Sequence, residues 1–255
     1  MRLPLPLAVP VLTLLLSLVL LVPDGLRAAE PVRVLFIGNS YTYYNDLPAL
    51  VRQMSLDARQ PRPLEVRAVT VGGASLQRHW DGPDARAALA GGRWDYVVIQ
   101  DFSTLPLDDP DTTRAYARRF AEAARQAGAR PIFYLTWARE YAPQNQARLD
   151  AVYTELARET GGLLAPVGDA WQLALAGTPK PDLYVDDGSH PTYAGSYLAA
   201  SVFYSLLYGT RPPAPSPEQA ARLQGAAASD LQGDAWDSLQ ATDLTLRTLS
   251  TARAW

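Results

Sequence analysis

Two widely separated segments of the chain carry the residue types that acyl transfer needs. Ser40 closes the apolar run at 35–40, Leu-Phe-Ile-Gly-Asn-Ser, and His190 stands three residues after Asp187 in the segment Asp-Gly-Ser-His-Pro. A serine hydroxyl is a poor nucleophile at neutral pH and needs a neighbouring base to take its proton. The chain has only two histidines. The pattern therefore predicts a hydrolase in which Ser40 attacks, His190 acts as the base and Asp187 orients the imidazole.

Apolar runs suited to buried strands alternate with helical segments along the chain. The runs lie at 32–37, 64–71, 96–100, 131–136 and 163–167, and the helical segments at 47–58, 85–90, 112–127, 145–160 and 193–208. This alternation predicts a parallel sheet that is covered by helices on both faces. We expect an α/β fold, a three-layer α/β/α sandwich of the flavodoxin-like kind with about five parallel strands. Asp111 and Gly128 are the expected caps of helix 112–127.

The chain divides into three predicted parts. Residues 1–28 have one early positive charge, an apolar core and a small-residue end, as a secretory signal peptide does. The alternative, a retained membrane anchor, is disfavoured because prolines leave an apolar segment shorter than the roughly 20 residues of a spanning helix. Residues 29–210 form the predicted hydrolase domain. Residues 211–255 hold a proline-rich break and helices that we expect to dock on the domain, with a partner-binding arm as the alternative.

The composition argues against several classes of function. The net charge of −3 argues against the positive charge that nucleic-acid binding requires. The absence of cysteine rules out disulfides and thiolate metal sites. No metal-binding spacing such as His-Glu-x-x-His and no phosphate-binding glycine motif is present. We therefore expect no metal, no cofactor and no stable membrane insertion after signal cleavage. The predicted location is exported, either periplasmic or extracellular, and the oligomeric state stays open.

Polar or glycine residues follow each predicted strand, where the functional groups of parallel α/β sheets gather. In this arrangement the chain resembles the SGNH (GDSL-like) hydrolase superfamily. Phe-Ile-Gly-Asn-Ser at 36–40 matches the first block of that family, with Asn39 where Asp is usual, and Asp187 with His190 matches the last block, Asp-x-x-His. Gly73 fits the second block. Gln100 stands where the third block, Gly-x-Asn-Asp, has its Asn.

The resemblance implies a covalent acyl-enzyme on Ser40. It also implies an oxyanion hole that is formed by the amides of Ser40 and Gly73 and by the side chain of Gln100, which carries the same amide donor as Asn. Each of these motif residues could instead have a purely structural role, in a turn, in a helix cap or in a loop hydrogen bond. The other histidine, His79, is expected to be a surface or loop residue.

The substrate is the least determined part of the prediction. Tyr41, Trp80 and Trp137 lie near strand ends, where aromatic faces suit sugar rings but could equally be packing residues. Similar exported relatives include carbohydrate esterases. We therefore expect the substrate to be a small-molecule or glycan ester, and an acetyl ester is the first choice. An arylesterase, lipase or thioesterase acting on another small acyl ester is the first alternative. A non-catalytic glycan-binding protein of the same fold, or a flavodoxin-like ligand binder, is the second.

Overall fold

A single parallel sheet of five strands lies at the centre of the fold. The structure, a computed structural model, describes residues 29–223 and 226–251, with side chains up to residue 243, so the predicted signal peptide lies outside the described residues. The strands are β1 (Val32–Gly38), β2 (Leu64–Thr70), β3 (Tyr96–Ile99), β4 (Arg130–Leu135) and β5 (Leu163–Pro166). They are all parallel and follow the order β2-β1-β3-β4-β5.

Helices fill the connections between the strands and the chain after them. They are α1 (Ser40–Tyr43), α2 (Leu47–Asp57), α3 (Leu76–Asp81), α4 (Asp84–Ala90), α5 (Leu105–Asp108), α6 (Pro110–Gln126), α7 (Gln146–Thr160), α8 (Val167–Ala176), α9 (Tyr193–Tyr208), α10 (Pro217–Arg222) and α11 (Ala228–Thr251). Short 3-10 turns occupy Tyr44–Asp46 and Pro143–Asn145.

Both faces of the sheet are buried. Val34 and Phe36 of β1 belong to one apolar cluster with residues of α2, α8, α9 and α11. Leu35 and Ile37 belong to a second cluster with residues of α4, α6 and α7. Successive side chains of a strand point to opposite faces, so a strand that is covered on both sides must be apolar throughout. The predicted three-layer sandwich is therefore confirmed.

The strand order determines where a site can form. The chain runs from β1 outward to β2 and then returns to β3 on the other side of β1. Beyond the carboxyl ends of β1 and β3 the connections therefore diverge, which opens a crevice in folds of this class. Ser40 directly follows β1, so the predicted nucleophile lies beside this crevice.

Helix ends show where local prediction was wrong. The cap of α6 is Asp109 rather than Asp111, because the Asp109 side chain accepts a hydrogen bond from Thr112 N at 3.1 Å. The carboxyl-terminal cap is Ala127 rather than Gly128, which follows with a φ of +79°. Proline at the first helical position lets α6 begin two residues earlier, since the missing N–H needs no partner there.

The chain after α9 packs against the domain. Ser216 and Gln219 form a reciprocal capping box at the start of α10. In α11, Leu231 and Ala235 are buried in the apolar cluster that contains α8 and α9. Within residues 29–223 and 226–251, no helix combines the length and the apolar character needed to cross a membrane.

A pair of carboxylates between α7 and α8 makes stability depend on pH. Burial and the neighbouring carboxylate of Asp150 raise the pKa of Asp169 to about 7, far above the roughly 3.9 of an unfolded chain. Between these values the folded state binds the extra proton, so stability falls as the pH rises. We expect Asp169→Asn to raise the melting temperature more at pH 8 than at pH 5. Thermal unfolding at both values checks this, and an equal change at both would contradict it.

Candidate active site

A hydrogen-bonded chain joins Ser40, His190 and Asp187. Ser40 Oγ lies 2.8 Å from His190 Nε2, and His190 Nδ1 lies 2.5 Å from Asp187 Oδ2. A carboxylate can only accept, so His190 carries its proton on Nδ1 and leaves Nε2 free to accept from the serine hydroxyl. The structure thus brings together the three residues of the predicted triad, with the geometry that proton transfer requires.

The loop before α9 holds the carboxylate of Asp187 in place. Its Oδ1 accepts hydrogen bonds from the backbone amides of Ser189 and His190, both at 2.8 Å. Burial would raise the pKa of Asp187, but hydrogen bonds from the His190 side chain and from these two amides outweigh it, so the pKa lies below its ordinary value. The carboxylate is therefore charged at neutral pH and can stabilise an imidazolium.

Two tyrosines that follow the nucleophile fix the imidazole ring. Tyr44 stacks on His190 with ring centroids 4.5 Å apart, and Tyr41 meets the ring edge-on at 5.7 Å. Asn45, with a φ of +51°, donates from its side chain to the carbonyls of Pro191 and Thr192. This asparagine joins the chain after the nucleophile to the chain after the base, a role that sequence analysis missed. Its position just after Ser40 was the available signal.

The nucleophile turn depends on Asn39. Its Oδ1 accepts from Tyr41 N, while its Nδ2 donates to the carbonyls of Ala74 and Asp101 at 3.0 and 3.1 Å. The side chain is buried and connects the turn after β1 with the loops after β2 and β3. Asparagine suits this position because an aspartate would have no hydrogen to donate to either carbonyl.

We expect Asn39→Asp to destabilise the protein, although the resembling family usually has Asp there. Two buried carbonyls would lose their donor and face a carboxylate, at a cost of about 2–4 kcal/mol. Urea unfolding measures the loss, and hydrolysis should fall with it. Asn145→Asp at the start of α7 is the matched control and should be neutral or slightly stabilising, since an acidic group suits a helix N-terminus. Equal stability of the two variants would contradict the assignment.

Two of the three predicted oxyanion-hole residues, Ser40 and Gly73, lie at one cleft. Gly73 lines the same cleft as Ser40 and has a φ of +64°, a conformation that favours glycine. Within the described part of the chain, the amides of Ser40 and Gly73 have no hydrogen-bond acceptor. Both can therefore donate to an oxygen that becomes charged in the cleft.

Gln100 does not point into the cleft, which corrects its predicted role. Its Oε1 accepts from Asn39 N at 2.8 Å and from Thr42 Oγ1 at 2.9 Å, and its Nε2 donates to the carbonyl of Asp101. The side chain is fully buried beneath the nucleophile turn. Any methyl group on Gly38 would collide with Gln100 and Thr42. The longer stem of Gln lets its amide fold back under the turn, where it positions Ser40 instead of binding substrate.

The main effect of Gln100→Ala should therefore be a loss of stability. The variant leaves Asn39 N and the Thr42 hydroxyl buried without an acceptor, which costs about 2–4 kcal/mol. Urea unfolding and kcat should be measured together. A loss of kcat of about 10²–10³-fold at unchanged stability would instead identify Gln100 as an oxyanion donor.

His79 is buried, contrary to the expected surface position. It lies in α3, and its Nε2 is 2.7 Å from the carbonyl oxygen of Gly38. A carbonyl can only accept, so Nε2 carries the proton. Burial lowers the pKa of His79, which favours the neutral ring. This histidine supports the end of β1 from below and takes no part in the triad.

The three predicted aromatic residues differ in their positions. Tyr41 lines the cleft, and its hydroxyl bonds Ser189 Oγ at 2.7 Å. Trp137 is buried, stacks on Tyr41 and donates from Nε1 to Ser189 O, so it supports the His190 loop from behind. Trp80 packs edge-on against Phe120 in the core. The predicted substrate contacts of Trp80 and Trp137 are wrong, because the strand-end position of a residue does not determine where its side chain points.

The cleft has a volume of about 320 Å³. Besides Ser40, His190, Tyr41 and Gly73, it is lined by Asn39, Tyr43, Tyr44, Gly72, Phe102, Ser103, Arg139 and Ser189. No sequence pattern indicated Phe102, Ser103, Arg139 or Ser189 as lining residues. Within the described ranges, no group of three or more histidine, aspartate or glutamate side chains could hold a metal ion.

Similar solved structures were found by comparison. A protein from Slackia heliotrinireducens, described as an SGNH hydrolase, is 31% identical, with a TM-score of 0.61, and the match covers 70% of this chain and 100% of that one. The acetyl xylan esterase AlAXEase is 13% identical with a TM-score of 0.58, covering 69% and 100% of the two chains. The esterase EstA from Pseudoalteromonas sp. is 17% identical with a TM-score of 0.54, covering 69% and 97%.

The two more distant structures show a shared fold. No protein-family model and no curated protein matches the chain. The Slackia protein is similar over its whole length and at an identity that indicates common descent. The chain therefore belongs to the SGNH hydrolase family, as its first and last motif blocks predicted.

Proposed function

We propose that this protein is a serine esterase that removes small acyl groups from a carbohydrate, with acetyl as the preferred group. The observation that carries the proposal is the hydrogen-bonded chain from Ser40 through His190 to Asp187, which opens on a cleft. Ser40 Oγ attacks the ester carbonyl while His190 takes its proton. The amides of Ser40 and Gly73 donate to the oxyanion of the tetrahedral intermediate.

The second half of the reaction uses the same groups. His190 returns its proton to the leaving alcohol, and the acyl group stays on Ser40 as an ester. His190 then deprotonates a water molecule, which attacks the acyl-enzyme. His190 returns this proton to Ser40 Oγ as the bond to the acyl carbon breaks and the acid is released. Asp187 stays ionised throughout and stabilises the imidazolium in both halves.

The size and lining of the cleft favour a short acyl chain on a sugar. Its volume of about 320 Å³ lies at the lower end of the range for ligand pockets, which suits a small ester better than a long acyl chain. Tyr43, which is 44% exposed, lies at the cleft, and Tyr141, which is 67% exposed, lies beside it against Arg139. Exposed aromatic rings suit the apolar faces of sugars. Acetyl xylan esterases are among the proteins with a similar fold.

Hydrolysis of p-nitrophenyl esters and of acetylated xylo-oligosaccharides tests the proposal. We expect turnover to be highest for acetate and to fall with chain length. A p-nitrophenyl phosphonate should phosphonylate Ser40 Oγ with loss of p-nitrophenolate, which mass spectrometry of the Ser40 peptide would show. Preference for long acyl chains would favour a lipase, and preference for thioesters a thioesterase. Glycan binding without turnover or labelling would indicate a non-catalytic binder. We also propose that the protein is exported, which detection of a chain that begins at residue 29 or 30 outside the cytoplasm would test.

A further inference from the structure

Arg139 brings a positive charge into the wall of the cleft. It follows β4 and lines the same cavity as Ser40 and His190. Its Nη1 donates to the Tyr141 hydroxyl at 2.6 Å, and its Nη2 donates to Ser103 Oγ at 3.3 Å. The hydrogen bond to Tyr141 is the main reason that the pKa of Arg139 is raised, so the guanidinium is always charged.

No carboxylate neutralises this charge. Among the described residues, Arg139 has no acidic partner within ion-pair distance, and its Nε is buried without an acceptor. The described lining of the cleft contains no aspartate or glutamate. A half-buried charge whose hydrogen-bond acceptors are only hydroxyl groups loses more hydration free energy than those hydrogen bonds restore.

Several arginines on the surface of the fold form ion pairs. Arg33 meets Glu65 at 3.1 Å, and Arg118 meets Glu159 at 2.7 Å. These pairs lie on the surface, where an ion pair contributes little to stability. Arg139 differs from these pairs because it is half-buried in the lining of the cleft and has no acidic partner there, so a ligand could supply the anion.

We propose that Arg139 binds a carboxylate of the substrate, so that the preferred ester is carried by an acidic sugar. A guanidinium presents a planar set of donors that matches the two oxygens of a carboxylate. The groups that it now contacts are the neutral hydroxyls of Tyr141, Ser103 and Tyr41, which a carboxylate can displace or share. This inference rests on the proposed esterase activity and narrows its substrate class to uronic acids that carry the acyl group on a hydroxyl and keep a free carboxylate.

The test compares two substrates that differ only in the group at C5 of the sugar, a carboxylate in one and a neutral hydroxymethyl in the other. These are a methyl glucuronoside and the corresponding methyl glucoside, each acetylated at the same hydroxyl. We expect the wild-type kcat/KM to favour the acidic ester about 10-fold or more, the value of a hydrogen bond to a charged group. Arg139→Gln should lose this preference, mainly through KM, and Arg139→Lys should retain part of it. Added salt should weaken the preference in the wild type.

Arg148→Gln is the matched control, because Arg148 is exposed on α7 and donates to the Leu107 carbonyl outside the cleft. It should keep the wild-type preference. Two results would overturn the inference: equal wild-type kcat/KM for the two esters, or a fall in kcat of Arg139→Gln by the same factor for both. The second would make Arg139 an oxyanion donor. Hydrolysis of the neutral ester by the wild type reports on the esterase activity independently, so failure of the two proposals can be told apart.

Discussion

Ser40→Ala should lower kcat for p-nitrophenyl acetate by about 10⁴–10⁶-fold. Alanine leaves His190 with no hydroxyl to deprotonate, so only the oxyanion donors and substrate binding would remain to accelerate attack by water. The backbone amide of residue 40 is retained, and the turn after β1 is held by Asn39, so the fold should survive. Circular dichroism and urea unfolding check this, and Ser229→Ala, which removes an exposed hydroxyl on α11, is the control.

His190→Ala should be as inactive as Ser40→Ala, and the double variant should be no worse, because the two residues act as one unit. The second histidine provides a contrast. His79→Ala removes the donor to the Gly38 carbonyl and should lower stability. Turnover that survives in either Ser40→Ala or His190→Ala would rule out the proposed triad. Inactivity that accompanies unfolding would point to a structural role.

Asp187→Asn is expected to have the second largest effect, a fall in kcat of about 10⁴-fold by analogy with serine proteases. If the amide of Asn turned its nitrogen toward Nδ1, His190 would have to carry its proton on Nε2. In that tautomer Nε2 faces Ser40 Oγ as a donor and cannot accept the serine proton. The Asn oxygen could still accept from the Ser189 and His190 amides, so the loop should keep its shape.

The neighbouring Asp186 offers a matched control for this variant. It is exposed and carries the same charge, so Asp186→Asn changes the net charge by the same amount. We expect this control to keep near wild-type kcat across the neutral range. Equal losses in both variants would show a general charge effect, and an active Asp187→Asn would show that His190 needs no orienting carboxylate.

The order of the elements could be predicted from the sequence, as could the three residues of the proposed triad, which the structure brings within hydrogen-bond distance of one another. Each of the five apolar runs forms a strand within one residue of its expected bounds, because apolar runs and helical periods are local properties. Ser40, Asp187 and His190 were identified because few residues in the chain could replace them and because Asp187 and His190 lie on one short loop.

The direction of each side chain was decided only by the tertiary structure. Gln100 turns under the nucleophile because Asn39 and Thr42, far away in sequence, present donors there. Trp137 packs behind the His190 loop, and Arg139, two residues later, reaches the cleft. These choices depend on contacts between β1, β3, β4 and the loop before α9. A pattern within one segment identifies which residues can do chemistry, whereas only packing between segments decides which of them face the substrate.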